Sequence, residues 1–379
     1  MEPRRFRLSY YSYDSLQNPW CAGGGALRDF EVLRRFAKKW DVTLYVGQYP
    51  GFSPVDMEGI RIRALGFGRS NWVCRLTFAL AANLRLVFDG ADAIGNSLSP
   101  FAPVLSGLLR RGRYFAVIHH RVGRDSLQKF GIAGYMPLIL ESVLFRGLRH
   151  FLVSNRSVAD KIRKINPSGR VFVTSNSIDQ TLLSTEPKVA EQPFILFLGR
   201  FDIHMKGLDI LVNAYNGLVS AHGGNDLPRL VLAGAASPVA QAAVRKLIPE
   251  SLTASVDLRP NVSDAEKREL LSSCLFFCGP SRFEGFGIAA LEANASGKAA
   301  LVTDTDGYRD SVNPGKTAIM VAPGNVQALL AAMETLIRNP ERREALGKAG
   351  REWARGFNWD RIAETEMQWI ASMREAGST

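Results

Sequence analysis

CLFFCGPSRFEGFGIAALEANASG, residues 274–297, contains the elements that decide the fold. Residues 274–280 are almost wholly apolar, which is the pattern of a strand covered on both faces in a parallel sheet. The loop 281–287 follows, with Glu284 placed ahead of Gly285, Phe286 and Gly287. From there Ile288, Leu291 and Ala295 recur at the spacing of a helix packed along one face. A strand, a short glycine-bounded loop and a helix make up half of a βαβ unit. Repetition of that unit, with its right-handed crossover, builds a doubly wound parallel sheet.

The same alternation extends outward in both directions. Strands are predicted at 6–12, 41–47, 113–118, 150–154 and 171–174, then at 193–199, 229–234, 299–304 and 318–323. Helices lie between them. Segment 28–39 sets Phe30, Leu33 and Ala37 on one face, and the helix after Lys206 does so with Leu208, Leu211, Val212, Tyr215 and Val219. A third, 263–273, opens on Ser263 with Glu266 three residues on, the sequence of a capping box. Segment 181–193 has no periodicity and two prolines, and it reads as a linker. A chain of 379 residues suits two domains better than one. The predicted fold class is therefore α/β, with two doubly wound, Rossmann-like domains facing across a cleft. The boundaries fall at 1–186 and 187–355, with a closing helix at 356–379.

Composition narrows the function classes. Hydrophobic residues make up 46% and charged residues 22%, a globular balance. No run of 18 uncharged apolar residues is present, so no transmembrane helix is expected. The basic start, MEPRRFRLSYYS, lacks a following apolar region, so no signal peptide is expected. Cys21, Cys74, Cys274 and Cys278 read as buried free thiols of a reducing cytoplasm, without the second Cys/His pair that a zinc site needs. Charge is uneven. Residues 1–186 carry 26 Lys and Arg against 14 Asp and Glu, a surplus of 12, whereas 187–379 carry 21 against 22. A basic half suits nucleic acid or anionic lipid. No helix-turn-helix, zinc-finger or RNP signature supports nucleic acid. The first strand is not followed by G-x-G-x-x-G, which argues against a nicotinamide enzyme. Asp304 and Asp306 imitate a metal-binding D-x-D but end a strand, and they read as a turn.

The loop 281–287 lies where ligands bind such sheets, beyond the carboxyl ends of the strands. Its glycines let backbone N–H groups at a helix N-terminus approach a phosphate. Glu284 and Glu292 then suit the hydroxyl-rich groups at either end of a diphosphate, because carboxylates accept from sugar hydroxyls.

This constellation resembles the retaining glycosyltransferases of the GT-B fold, the family 4 group also called glycosyl transferases group 1. The match is carried by Glu284-x7-Glu292 in PSRFEGFGIAALEANASG and by FLGRFDIHMKG, with Gly199, Arg200, Lys206 and Gly207. It is also carried by Gly23-Gly24-Gly25, by AVIHH with His119 and His120, by TSNSID (174–179), and by FNWDRIAETEMQWI near the end. Ser177, Lys298-Ala299 and Asp310 depart from the family pattern without removing a charged group from the diphosphate site.

The resemblance implies a metal-independent hexosyl transfer with no cofactor beyond a UDP- or GDP-linked sugar as co-substrate. Arg200 and Lys206 would contact the donor diphosphate, together with the backbone of Gly24, Gly25, Gly199 and Gly285 to Gly287. Glu292 would hold the ribose and Glu284 a donor-sugar hydroxyl. His119 would lie beside the reacting sugar, with His120 as the secondary candidate. The acceptor would be a glycan or lipid-linked molecule of polysaccharide or glycolipid synthesis, and the final helix would cross back onto the first domain. A non-catalytic scaffold subunit and a phosphorylase-like enzyme are the alternatives on the same fold. The basic first half adds the expectation of a peripheral enzyme on the cytoplasmic face of an anionic membrane. Residues 69–88, with Arg69, Arg75, Arg85, Trp72 and Phe78, and residues 129–149 are the candidate contacts.

Overall fold

Two sheets organise the computed structural model, which describes residues 4–18, 20, 23–99, 103, 108–109, 112–119, 135–223 and 227–375. The first sheet has eight strands: β1 Arg7–Ser12, β2 Asp41–Gly47, β3 Val55–Met57, β4 Ile60–Leu65, β5 Ala93–Ser97, β6 Tyr114–Ile118, β7 His150–Val153 and β8 Arg170–Val173. Their order is β3-β4-β2-β1-β5-β6-β7-β8, parallel except for the β3–β4 hairpin. The second has six: β9 Phe194–Leu198, β10 Arg229–Gly234, β11 Val256–Pro260, β12 Phe276–Gly279, β13 Ala300–Thr303 and β14 Ala318–Val321. Its order is β11-β10-β9-β12-β13-β14, and all of its pairs are parallel. This is a doubly wound sheet whose strand order reverses between β9 and β12. The first sheet reverses between β1 and β5.

The apolar central strands are buried on both faces because helices cover both. In the second unit Ile195, Phe197, Phe276 and Cys278 enter one core layer. Leu196, Leu198 and Phe277 enter the opposite one. In the first unit Tyr11, Tyr114 and Ile118 face one layer and Leu8, Tyr10, Phe115 and Val117 the other. That last layer is closed by Ile362, Ala363, Met367, Ile370 and Met373 of the helix Trp359–Glu375.

The chain divides into Met1–Asn176 with Trp359–Thr379, and Ser177–Asn358. The expected boundaries at 186/187 and 355/356 therefore move to 176/177 and 358/359. The cause is local. The segment read as a linker contains the helix Thr181–Ser184, and its Leu182 is fully buried in a core layer of the second unit. Gln180 donates to the Phe357 carbonyl at 2.9 Å, and Arg351 donates to the carbonyls of Leu183 and Thr185. Cys74, Cys274 and Cys278 are buried free thiols, and Cys21 lies outside the described residues.

Candidate active site

In the second unit the quoted stretch folds at the reversal of strand order. β9 ends at Leu198, and Gly199 and Arg200 continue into the four-residue helix Ile203–Lys206, capped by Asp202, which accepts from the Met205 amide at 2.9 Å. β12 ends at Gly279, and loop 280–287 leads to the helix Ile288–Ala295. The two loops are tied together. The amides of Arg282 and Phe283 both donate to the Met205 carbonyl, at 3.0 and 3.3 Å. The Arg282 guanidinium holds Asp209 through two bonds of 2.7 and 2.6 Å. Gly207 joins them at closest approach. It has φ +68°, and a Cβ there would lie 2.1 Å from the Pro280 carbonyl oxygen.

This join brings Lys206 to Glu284, with Nζ 2.8 Å from Oε2. Ser281 Oγ donates to the same carboxylate at 3.3 Å, and the Gly285 amide lies 3.2 Å from Oε1. Arg200 extends from the neighbouring turn with its side chain 66% exposed, so its guanidinium reaches solvent, 3.9 Å from Asp202. Gly287, at φ +88°, starts the helix without any side-chain cap. Its N-terminal dipole therefore adds positive potential beside two cations. Phe286 turns inward. Its ring is 4% exposed and meets Phe357 edge-on at 6.1 Å, so only its backbone belongs to the loop's polar surface. Glu292, one turn into the helix, is buried and accepts from Lys267 Nζ at 2.7 Å. Burial pulls the Lys267 ammonium down, but the Glu292 carboxylate more than offsets it and leaves the ammonium above its ordinary range. Asp304 and Asp306 stand apart from this cluster, beside Arg309, whose guanidinium makes bonds of 2.6 and 2.8 Å to Asp304.

In the first unit Gly23 is the N-cap of the helix Gly24–Phe36, at the reversal of the first sheet. His119 follows β6 directly. A Cβ on Gly25 would lie 3.1 Å from the His119 ring, so the glycine admits the imidazole against the start of the helix. His119 Nε2 lies 3.1 Å from Ser97 Oγ and 3.1 Å from Asp29 Oδ1. His120 lies outside the described residues. The helix differs from its expected form. It spans 24–36 rather than 28–39, and its buried face runs through Arg28, Asp29, Val32, Leu33 and Phe36, while Phe30 and Ala37 are only half-buried.

Sequence reasoning missed Asp29, Ser97 and Lys267. A signal for Asp29 existed, because it stands three and four residues before Val32 and Leu33, in register with the apolar stripe.

Two doubly wound α/β sheets, one in each unit, are the architecture of the GT-B fold. Solved structures share it. A sucrose-phosphate synthase from Thermosynechococcus elongatus superposes with TM-score 0.81 at 19% identity, over 98% of this chain and 100% of that one. Anabaena HepE, in complex with UDP and glucose, does so with TM-score 0.74 at 14% identity, over 97% and 100%. Residues 180–353, nearly the whole second unit, match the family Glycosyl transferases group 1. It is 28% identical to the phosphatidyl-myo-inositol mannosyltransferase of Mycobacterium leprae, over 97% of this chain and 96% of the relative.

Proposed function

We propose that the chain transfers a hexosyl group, with retention of configuration, from a UDP- or GDP-linked sugar to a glycan or lipid-linked acceptor in polysaccharide or glycolipid synthesis. The observation that carries this reading is the contact of Lys206 with Glu284 across the two loops of the second sheet's switch point, with Arg200 on the first of those loops. A departing nucleoside diphosphate accumulates negative charge. Lys206, held by Glu284, the solvent-facing Arg200 and a helix N-terminus stabilise that charge without a divalent ion. Glu292 takes the ribose hydroxyls, and Glu284 takes a hydroxyl of the donor sugar. The acceptor oxygen attacks the anomeric carbon on the side of the leaving group. The anomeric carbon–phosphate oxygen bond breaks, and the acceptor proton passes to the departing phosphate oxygen. Glu284 thus orients the donor and forms no covalent intermediate. The family resemblance alone gives His119 a part in the reaction. The UDP and glucose bound to Anabaena HepE and the lipid named for the Mycobacterium leprae relative support this substrate class.

The test is substitution. Glu284→Gln, Arg200→Ala and Lys206→Ala should each lower turnover by about two to three orders of magnitude, the typical cost of one preorganised charge-stabilising group. Arg200 is mostly exposed, so its variant should melt with the wild type. Wild-type rates in two of the three would overturn the assignment. Nucleotide-sugar hydrolysis without acceptor separates the reading from a scaffold, which would show none.

The first unit, in this reading, rests on an anionic membrane surface. The helix Asn71–Val87 supports it by carrying two apolar rows. Cys74, Phe78, Ala82 and Leu86 enter the core, so Phe78 is not the surface contact its sequence context suggested. Trp72, Leu76, Leu80, Leu84 and Phe88 form the other row and are 56–74% exposed. Arg69 is exposed at one end, whereas Arg75 and Arg85 stack over Tyr13 and Tyr45. No described helix is long and apolar enough to cross a membrane. Of the second candidate, 129–134 lies outside the described residues, and the helix Tyr135–Gly147 exposes Tyr135, Ile139 and Val143.

A further inference from the structure

The first unit buries a chain of charges that the proposed reaction leaves without a task. Arg28 and Asp29 are 2 and 3% exposed, and Glu366, on the helix Trp359–Glu375, is 1% exposed. The Arg28 guanidinium contacts the Glu366 carboxylate, which also accepts the Thr174 hydroxyl. Arg28 Nη1 lies 3.7 Å from Asp29 Oδ1. That oxygen accepts from the Tyr10 hydroxyl at 2.8 Å and meets His119 Nε2 at 3.1 Å. Within this chain the group nearest solvent is His119, 16% exposed.

Burying three charged groups is expensive, and apolar residues of similar volume would stabilise the site as well or better. A role in stability therefore does not explain the chain. Its geometry converges on one ring. Gly25 and Asp29 are four residues apart and share a helix face. The glycine admits the imidazole, and the carboxylate meets its Nε2.

We propose that Asp29, backed by Arg28 and Glu366, is the positioning residue for His119. It accepts the Nε2 proton, fixes the tautomer with the lone pair on Nδ1, and keeps a negative charge beside the ring. Arg28 helps His119 keep that carboxylate ionised, and Glu366 balances Arg28. The titratable groups are consistent with this arrangement. Burial pushes the Asp29 carboxyl up, but His119, then Arg28 and the Tyr10 hydroxyl, hold it below the usual range. Burial raises Glu366, against the pull of Arg28. Among the described residues, the charged and titratable groups around the ring are Asp29 and Arg28 on the first helix, Tyr10 on β1 and Glu366 on the final helix. Only the link from His119 to turnover rests on the proposed function; the network is readable without it.

The experiment is nitrogen NMR on the full chain labelled in its five histidines, with His119 assigned from a His119→Gln sample. Wild-type His119 should show the Nε2–H tautomer in its neutral form. Asp29→Asn should loosen that preference, so that the two ring nitrogens move toward the averaged shifts of exchanging tautomers. Turnover should fall by about tenfold or more with donor KM little changed, as for loss of an aligned proton-handling group. Glu366→Gln retains the hydrogen bond to Thr174 and should loosen the tautomer preference to a smaller extent. It carries the test if Asp29→Asn fails to fold. An Nδ1–H tautomer in the wild type, or an unchanged tautomer preference in a folded variant, overturns the proposal. A loosened preference with unchanged turnover upholds the network and removes His119 from the reaction.

Discussion

Asp304 and Asp306 show how a single neighbour decides a residue's meaning. By spacing they imitate a metal-binding pair, but Arg309 makes two bonds to Asp304 and lies 3.8 Å from Asp306. Hydrogen bonding from Arg309 also holds the Asp304 carboxyl below its usual range. A cation would have to displace that guanidinium. Enzyme stripped with EDTA should therefore keep most of its transfer activity, and complete loss restored by manganese would return the two acids to the site. Glu284, Arg200 and Lys206 stand out in the sequence through the family resemblance of their two motifs, and the structure brings Lys206 to Glu284. Arg28, Asp29 and Glu366 were harder. Charged residues on a helix are ordinarily read as its wet face, and Arg28 and Glu366 find each other across more than 300 residues of chain. The trace they leave is register, since Glu366 falls within the stripe Ile362, Ala363, Met367 and Ile370.

Among elements, the turn through Gly207 has the clearest energetic signature. Gly207 and Gly223 share φ +68°, but nothing lies within 4 Å of a Cβ on Gly223, whereas one on Gly207 would overlap the Pro280 carbonyl. An alanine at either position costs about 1–2 kcal/mol for its left-handed backbone. Gly207→Ala should lose clearly more than Gly223→Ala in urea denaturation, and it alone should lose activity, because the overlap separates the loops that join Lys206 to Glu284. Equal losses would show that the two loops yield independently. Strands with a strong apolar pattern were legible to within a residue or two, as with β2, β9 and β10. β5 was not. Its sequence AIGNS has little strand preference, and Gly95 is required because a side chain there would overlap Tyr10 and Phe115. Packing makes that strand, and no local pattern announces it.

For the whole molecule, the proposed membrane docking would draw on both the exposed row along Asn71–Val87 and the surplus of basic residues in the first half. Each basic residue near an anionic leaflet contributes on the order of 1 kcal/mol, and the apolar row adds burial in the interface. In flotation assays the protein should rise with phosphatidylglycerol vesicles and much less with neutral phosphatidylcholine, more so at low salt. Leu80→Asp with Leu84→Asp should abolish the rise while leaving the fold intact, because both side chains face solvent. Equal, negligible binding to both vesicles would assign the basic half to an acidic acceptor instead. The two-domain plan was legible from the repeated strand–helix pattern. The boundary was not, because composition marks prolines but does not show that Leu182 is buried. The discontinuity of the first unit also matters during translation. Arg28 is made early, and its counter-charge Glu366 more than 300 residues later, after the whole of the second unit. Until residues 359–375 leave the ribosome, the slot beside Leu8, Tyr10 and Val117 stays open and Arg28 must remain hydrated. The second unit can therefore mature on the nascent chain, whereas the first can close only after synthesis has passed it.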